Sequence, residues 1–130
     1  MEIIVDANAF LAVILNEPEK QKIIEITKGM ELVSPEVLPY EIGNALTAMF
    51  KRKRLTKEQI YTCFDIFNTI PVRLLAVDIA KSLKMACDFN CYAYDAYYLE
   101  LAHRLKIPLL TLDKQMKNNA EVLTLRIMEI

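Results

Sequence analysis

The sequence predicts an α/β fold, a three-layer α/β/α sandwich around a mostly parallel central sheet. Three observations carry that expectation. Short β-branched runs alternate with longer amphipathic segments along the whole chain, the pattern of helices packed on both faces of a parallel sheet. The first run, Ile3-Ile4-Val5, is apolar throughout and stops at Asp6, as a buried central strand does. The stretch from Tyr92 to Lys114 reads as one helix followed by one strand, with Asp95 opening the helix and Asp113 closing the strand. About twelve helical residues span ~18 Å, and five or six strand residues climb roughly the same height. Both acids therefore come out level, at the rim where parallel strands end.

The elements follow in order. After Asp6, Asn8 is placed to cap an apolar helix from Ala9 to Leu15, and Pro18 begins the next, which carries Ile23, Ile24 and Ile26 and stops at Gly29. Leu32-Val33 forms a second strand. Ser34-Pro35 reads as a cap and first helical residue, with Pro39 as the alternative start, leading into Ile42, Ala45, Leu46, Met49 and Phe50 at helical spacing. Thr56 to Gln59 fits a capping box for a helix presenting Ile60, Cys63, Phe64 and Phe67. Pro71 to Leu75 suggests a strand, and Asp78 caps a helix with Ile79, Leu83, Ala86 and Cys87 inward, ended by Asn90. Ala96, Leu99, Ala102 and Leu105 then mark the helix that Asp95 opens, before a strand over Leu109 to Leu112. Val122 to Met128 alternates like a last, half-exposed strand.

Composition narrows the function classes. The 130 residues, 54% hydrophobic, are expected to form a single domain over 1–130 with a proper core. The longest apolar run, Ala9 to Leu15, is far too short to span a membrane, and the start does not resemble a signal peptide, so a cytoplasmic protein without membrane contact is expected. Cys63, Cys87 and Cys91 are an odd set read as buried reduced thiols on helices. Two glycines in the whole chain exclude a glycine-rich phosphate loop. A net charge of -1 argues against strong nonspecific nucleic-acid binding but permits a local basic patch, and Lys51-Arg52-Lys53-Arg54 with Lys57 is either that patch or a solvated helix end.

The same strand-end geometry brings Asp6 and Glu41 to the rim that holds Asp95 and Asp113. Glu41 shares a helical face with Ala45 and Met49, and Asp95 with Leu99 and Ala102, so both project from apolar stripes. Two unit charges ~5 Å apart repel by about 3 kcal/mol at an effective dielectric of 20, so four such acids require protonation or a cation. One histidine, His103, on the outer side of its helix, and the lack of a Cys/His cluster argue against zinc. An all-carboxylate site suits Mg²⁺ or Mn²⁺ and phosphodiester chemistry.

These residues resemble the PIN-domain ribonucleases of the VapC toxin type. The resemblance runs through Ile3-Ile4-Val5-Asp6-Ala7-Asn8, Ser34-Pro35, Glu41-Ile42-Gly43-Asn44-Ala45, Tyr94-Asp95-Ala96 and Leu110-Thr111-Leu112-Asp113. It implies that Asp6, Glu41, Asp95 and Asp113 form the acidic metal site, with Asn8 and Thr111 as amide and hydroxyl partners of the acids and Asn44 as a further supporting residue. It also implies Mg²⁺- or Mn²⁺-dependent cleavage of single-stranded or looped RNA, a homodimer, and inhibition by a cognate VapB-like antitoxin. Asn8 stands where many relatives carry Ser or Thr. Asp78 and Asp88 read as a helix cap and a surface acid, and Tyr92, Tyr94, Tyr97 and Tyr98 as core and dimer packing. Two other classes compete: a non-catalytic RNA-binding or interaction module of the same fold, and a phospho-accepting receiver domain with Lys114 as its charged partner. The receiver has no use for Glu41 or Asp95.

Overall fold

Four short parallel strands in the order β3-β2-β1-β4 form the centre of the molecule. The computed structural model describes all residues, Met1–Ile130. The chain runs β1 (Glu2–Val5), α1 (Ala7–Ile14), α2 (Lys20–Thr27), β2 (Glu31–Pro35), α3 (Leu38–Lys51), α4 (Lys57–Thr69), β3 (Arg73–Leu75), α5 (Ile79–Phe89), α6 (Ala93–Leu105), β4 (Leu109–Leu110) and α7 (Lys114–Val122). It builds outward from β1 to β2 and β3, then returns on the other side of β1 to add β4.

Strand alternation sorts the core into two halves. Ile3, Val5 and Leu110 pack with α1 to α4, where Phe10 meets Phe67 edge to face at 5.7 Å. Ile4, Val33 and Leu109 face the other way, against Tyr98, Leu99, Leu101 and Ala102 of α6 and Met116 and Ala120 of α7. The result is the expected three-layer α/β/α sandwich with a parallel sheet. No helix is long and apolar enough to cross a membrane.

Several local expectations are corrected. Asp6, not Asn8, caps α1: its Oδ1 accepts from the Ala9 amide at 3.0 Å, because the helix begins directly after the strand with no intervening turn. Pro18 lies in a turn, α2 starts at Lys20, and of its isoleucines only Ile23 is buried. Ser34-Pro35 ends β2 instead of opening a helix; the Ser34 hydroxyl donates to the Val5 carbonyl at 2.6 Å, and Pro39 sits in the first turn of α3. Asp78 does cap α5, but the helix turns Ser82 and Ala86 inward and leaves Ile79, Leu83 and Cys87 exposed. Cys91 lies in the link to α6 and is half-buried, so only Cys63 is the buried thiol expected. The strand after α6 is shorter than expected, and Asp113 caps α7, a helix with no counterpart in the sequence reading. The alternating tail reduces to one bridge between Leu109 and Ile127.

The crossover from β3 to β4 is fastened by a buried carboxylate. Glu100 accepts from the Arg104 guanidinium at 2.7 Å and from the Asp78 amide at 3.1 Å, and Arg104 also donates to the Ala76 carbonyl at 3.0 Å. A buried acid with this many donors ties the loop after β3 to α6, and so helps fix where α6 presents Asp95.

Candidate active site

The sheet reverses its direction of growth between β1 and β4. In open α/β sheets the crevice beyond the carboxyl ends of the strands at such a point is where ligands bind. Asp6 follows β1 directly, and Thr111 to Asp113 follow β4. A buried hydrogen bond from the Thr111 hydroxyl to Asp6 Oδ2 spans the two strand ends. The Thr111 oxygen accepts in turn from the Asp113 amide at 3.0 Å, and Asp113 Oδ1 accepts from the Met116 amide at 2.9 Å. Each carboxylate is thus held by backbone that the sheet or a helix start has already fixed.

Glu41 lies in the first turn of α3 and Asp95 in the first turn of α6, both half-buried. The Tyr98 hydroxyl, one turn beyond Asp95, donates to Glu41 Oε1 at 2.9 Å and so joins the two helices over the cleft. Tyr98 is 1% exposed; its ring packs in the core as expected of a tyrosine here, but its hydroxyl serves the acids. Sequence reasoning missed this role, although Asp95 and Tyr98 stand on one helical face. Asn8 and Asn44 are exposed on the cleft wall with Tyr40, Glu41 and Tyr94, around a volume of about 210 Å³. Tyr92 and Tyr94 are exposed and not core. His103 and Asp88 are surface residues.

The electrostatics link the four acids. Burial lifts Asp6 from its ordinary 3.8 to about 6, with Asp113 and Asp95 adding to the rise and the Thr111 hydroxyl and Ala9 amide opposing it. Burial likewise lifts Glu41 to about 7, opposed by the Tyr98 hydroxyl and reinforced by Asp6 and Asp95. Asp95 is raised by burial and then by Asp113. Burial and the charge of Glu41 push the Tyr98 phenol up, so it stays a donor. No lysine or arginine enters these balances, and the ion pairs of the protein, Arg73 with Glu2 and Glu31 and Arg104 with Glu100, lie elsewhere. The side chains as they stand do not form a ready-made chelate of three or more.

A PIN domain profile matches residues 3–122. This chain belongs to the PIN domain family. Within that family it is similar to Ribonuclease VapC3 of Pyrobaculum aerophilum, 26% identical over 121 residues that cover 89% of this chain and 92% of the relative. The PIN fold is seen again in the crystal structure of PAE2754 from Pyrobaculum aerophilum, with a TM-score of 0.72 at 22% identity, covering 98% of this chain and 83% of that one. It is also seen in VapBC2 from Rickettsia felis bound to a DNA fragment from their promoter, with a TM-score of 0.67, 15% identity and 98% of both chains covered.

The Tyr98 contact gives a direct test of this PIN-domain cleft. Phe fits the same space, so Tyr98→Phe removes a hydrogen bond and little packing. At pH 8, where Glu41 is ionised, the variant is expected to lose about 1 kcal/mol of stability after allowance for solvent screening. At pH 5, where Glu41 is protonated, the loss should be markedly smaller. Urea unfolding at the two pH values measures both, and equal losses would show that the hydroxyl does not serve the Glu41 carboxylate.

Proposed function

We propose that this chain, a single PIN domain over 1–130, is a Mg²⁺- or Mn²⁺-dependent endoribonuclease whose site is Asp6, Glu41, Asp95 and Asp113. The observation that carries the reading is the Thr111–Asp6 hydrogen bond across the switch point, which ties the end of β1 to that of β4 and holds Asp6 where Asp113 and Asp95 act on it and no protein cation offsets them. The donor set is all oxygen and strongly anionic, which fits a hard divalent ion better than zinc. Glu41, Asp95 and Asp113 are only part-buried, so their side chains have room to turn toward an ion.

When bound by these four acids, Mg²⁺ or Mn²⁺ supplies Lewis acidity: it activates water and offsets charge developing on the phosphodiester. The residues do the positioning. Thr111 and the Ala9 amide hold Asp6, the α7 amide of Met116 holds Asp113, and Tyr98 holds Oε1 of Glu41. Glu41 Oε2 is left to take the ion or a proton, and its raised pKa suits proton exchange near neutral pH. Asn8 and Asn44, on the cleft wall, supply amides for substrate or for water near the acids.

Similarity to a protein named Ribonuclease VapC3 and to the VapBC2 structure supports the biological reading. The chain acts as the toxin of a toxin–antitoxin pair in the cytoplasm, as a homodimer restrained by a cognate VapB-like antitoxin. Incubating the purified protein with single-stranded RNA tests the chemistry. Fragments are expected with Mg²⁺ or Mn²⁺ and none after chelation. A protein that binds Mn²⁺ yet cuts no RNA is instead the non-catalytic RNA-binding module.

A further inference from the structure

An acidic rim repels a polyanion, and with a net charge of -1 the chain has no general excess of cations to compensate. Affinity for nucleic acid must come from cations gathered away from the acids. The densest gathering is the turn between α3 and α4, where Lys51, Arg52, Lys53, Arg54 and Lys57 are all exposed and none is in an ion pair. One or two cations complement the carboxyl end of a helix; five exceed that need.

Helix α3 connects the turn to the cleft. Glu41 and Arg52 are eleven residues apart, three turns of helix, and fall on nearly one line along its side about 16 Å from end to end. Asn44, Ala45 and Ala48 lie between them, leaving a low strip without a large side chain. The turn itself is firmly built. Lys53 adopts a left-handed conformation at φ 60°, Thr56 and Gln59 close a reciprocal capping box, and the Lys53 and Arg54 amides bond back to the carbonyls of Phe50 and Met49. With the backbone satisfied, the side chains of Lys51, Lys53 and Arg54 are left to recognise charge around a groove of about 450 Å³, with Arg52 and Lys57 close to them in the chain.

We propose that this cationic turn is a second phosphate-binding site, an anchor for the same nucleic-acid strand several nucleotides from the phosphate at the acidic rim. The proposal rests on the nuclease reading above and names where its substrate gains affinity. Because the anchor offers only charge, it reads backbone and not base sequence.

The test is binding of a fluorescent single-stranded RNA of about twenty nucleotides, in chelator, over a range of salt concentrations. Each phosphate contact to a single strand contributes a slope of about -0.7 in log affinity against log salt. Replacing Arg52, Lys53 and Arg54 by Gln is expected to flatten the slope by about 2 and to weaken binding about a hundredfold at 0.1 M salt. Replacing Lys20, Lys22 and Lys28, on and just after α2, by Gln removes equal charge elsewhere and should change both far less. Equal slopes for wild type and the Arg52, Lys53, Arg54 variant overturn the anchor. So does loss of binding to polyglutamate with RNA binding intact, which assigns the turn to an acidic protein partner. Cleavage of the same RNA by wild type with Mn²⁺ is scored in parallel: cleavage with an unchanged slope sinks the anchor alone, whereas no RNA binding and no cleavage sink the nuclease reading and the anchor with it.

Discussion

Asp6→Asn is expected to reduce RNA cleavage by about a thousandfold or more while making the ion-free protein more stable. The two effects have one cause. Asp6 is 2% exposed and close to two other acids, so its charge is costly until a cation arrives and useful once one has. Asparagine keeps the oxygen that caps α1 and can still pair with Thr111, so the fold is retained. Loss of a single preorganised donor to developing charge typically costs a factor of about 10²–10³, and here the hold on the ion that would supply that stabilisation is weakened. Cleavage rates and unfolding curves in chelator, measured on the same two proteins, check the pair. A variant that cuts RNA as wild type does, or that is less stable without ions, would contradict the role given to Asp6.

The second large effect concerns pH. An acid whose folded pKa lies above its unfolded value binds its proton more tightly when folded. Folding is therefore favoured below the unfolded value, and that advantage is lost as pH rises through the folded one. For Asp6 the window runs from about 3.8 to about 6, and for Glu41 from 4.5 to about 7. Ion-free protein should lose roughly 3 kcal/mol through Asp6 as pH climbs across that window, and a smaller, solvent-screened amount of order 1 kcal/mol through Glu41. Mn²⁺ at about a hundred times its dissociation constant should return about 2.7 kcal/mol at pH 7.5. Denaturant unfolding at pH 5 and pH 7.5, with and without Mn²⁺, measures these changes. Stability that rises with pH in chelator would contradict the assignment of crowded acids with a buried Asp6 and a half-buried Glu41.

Much of this was legible in the chain because the informative signals are local. Three β-branched residues ending on Asp6 identify a buried strand, and once that strand is parallel its end defines the rim. Glu41 and Asp95 could be placed because an acid on an apolar helical stripe needs a partner. What escaped depends on contacts between distant residues or on weak periodicity. Helix α7 buries only Met116, Asn119 and Ala120 and is otherwise polar apart from an exposed Val122, so it has almost no apolar stripe to read. Its start is concealed because Asp113 both follows the β4 segment and caps the helix. The tail from 122 to 128 alternates, yet β4 is too short to offer it more than one bridge. Ser34 looked like a helix cap because Pro35 follows it, but its hydroxyl answers the Val5 carbonyl across the sheet. Tyr98 looked like packing because its acceptor lies 57 residues away in sequence.

The central claim is that Asp6, Glu41, Asp95 and Asp113 share one divalent-ion site at the end of the sheet. Crystals grown with Mn²⁺ and measured at its absorption edge locate that ion directly. An anomalous peak is predicted with carboxylate oxygens of Asp6 and of Asp95 or Asp113 about 2.1 Å away, close to the distance of a bound Mg²⁺. Manganese found only on acids away from the rim, such as Asp65 or Asp88, or at no carboxylate of the protein, would contradict the claim.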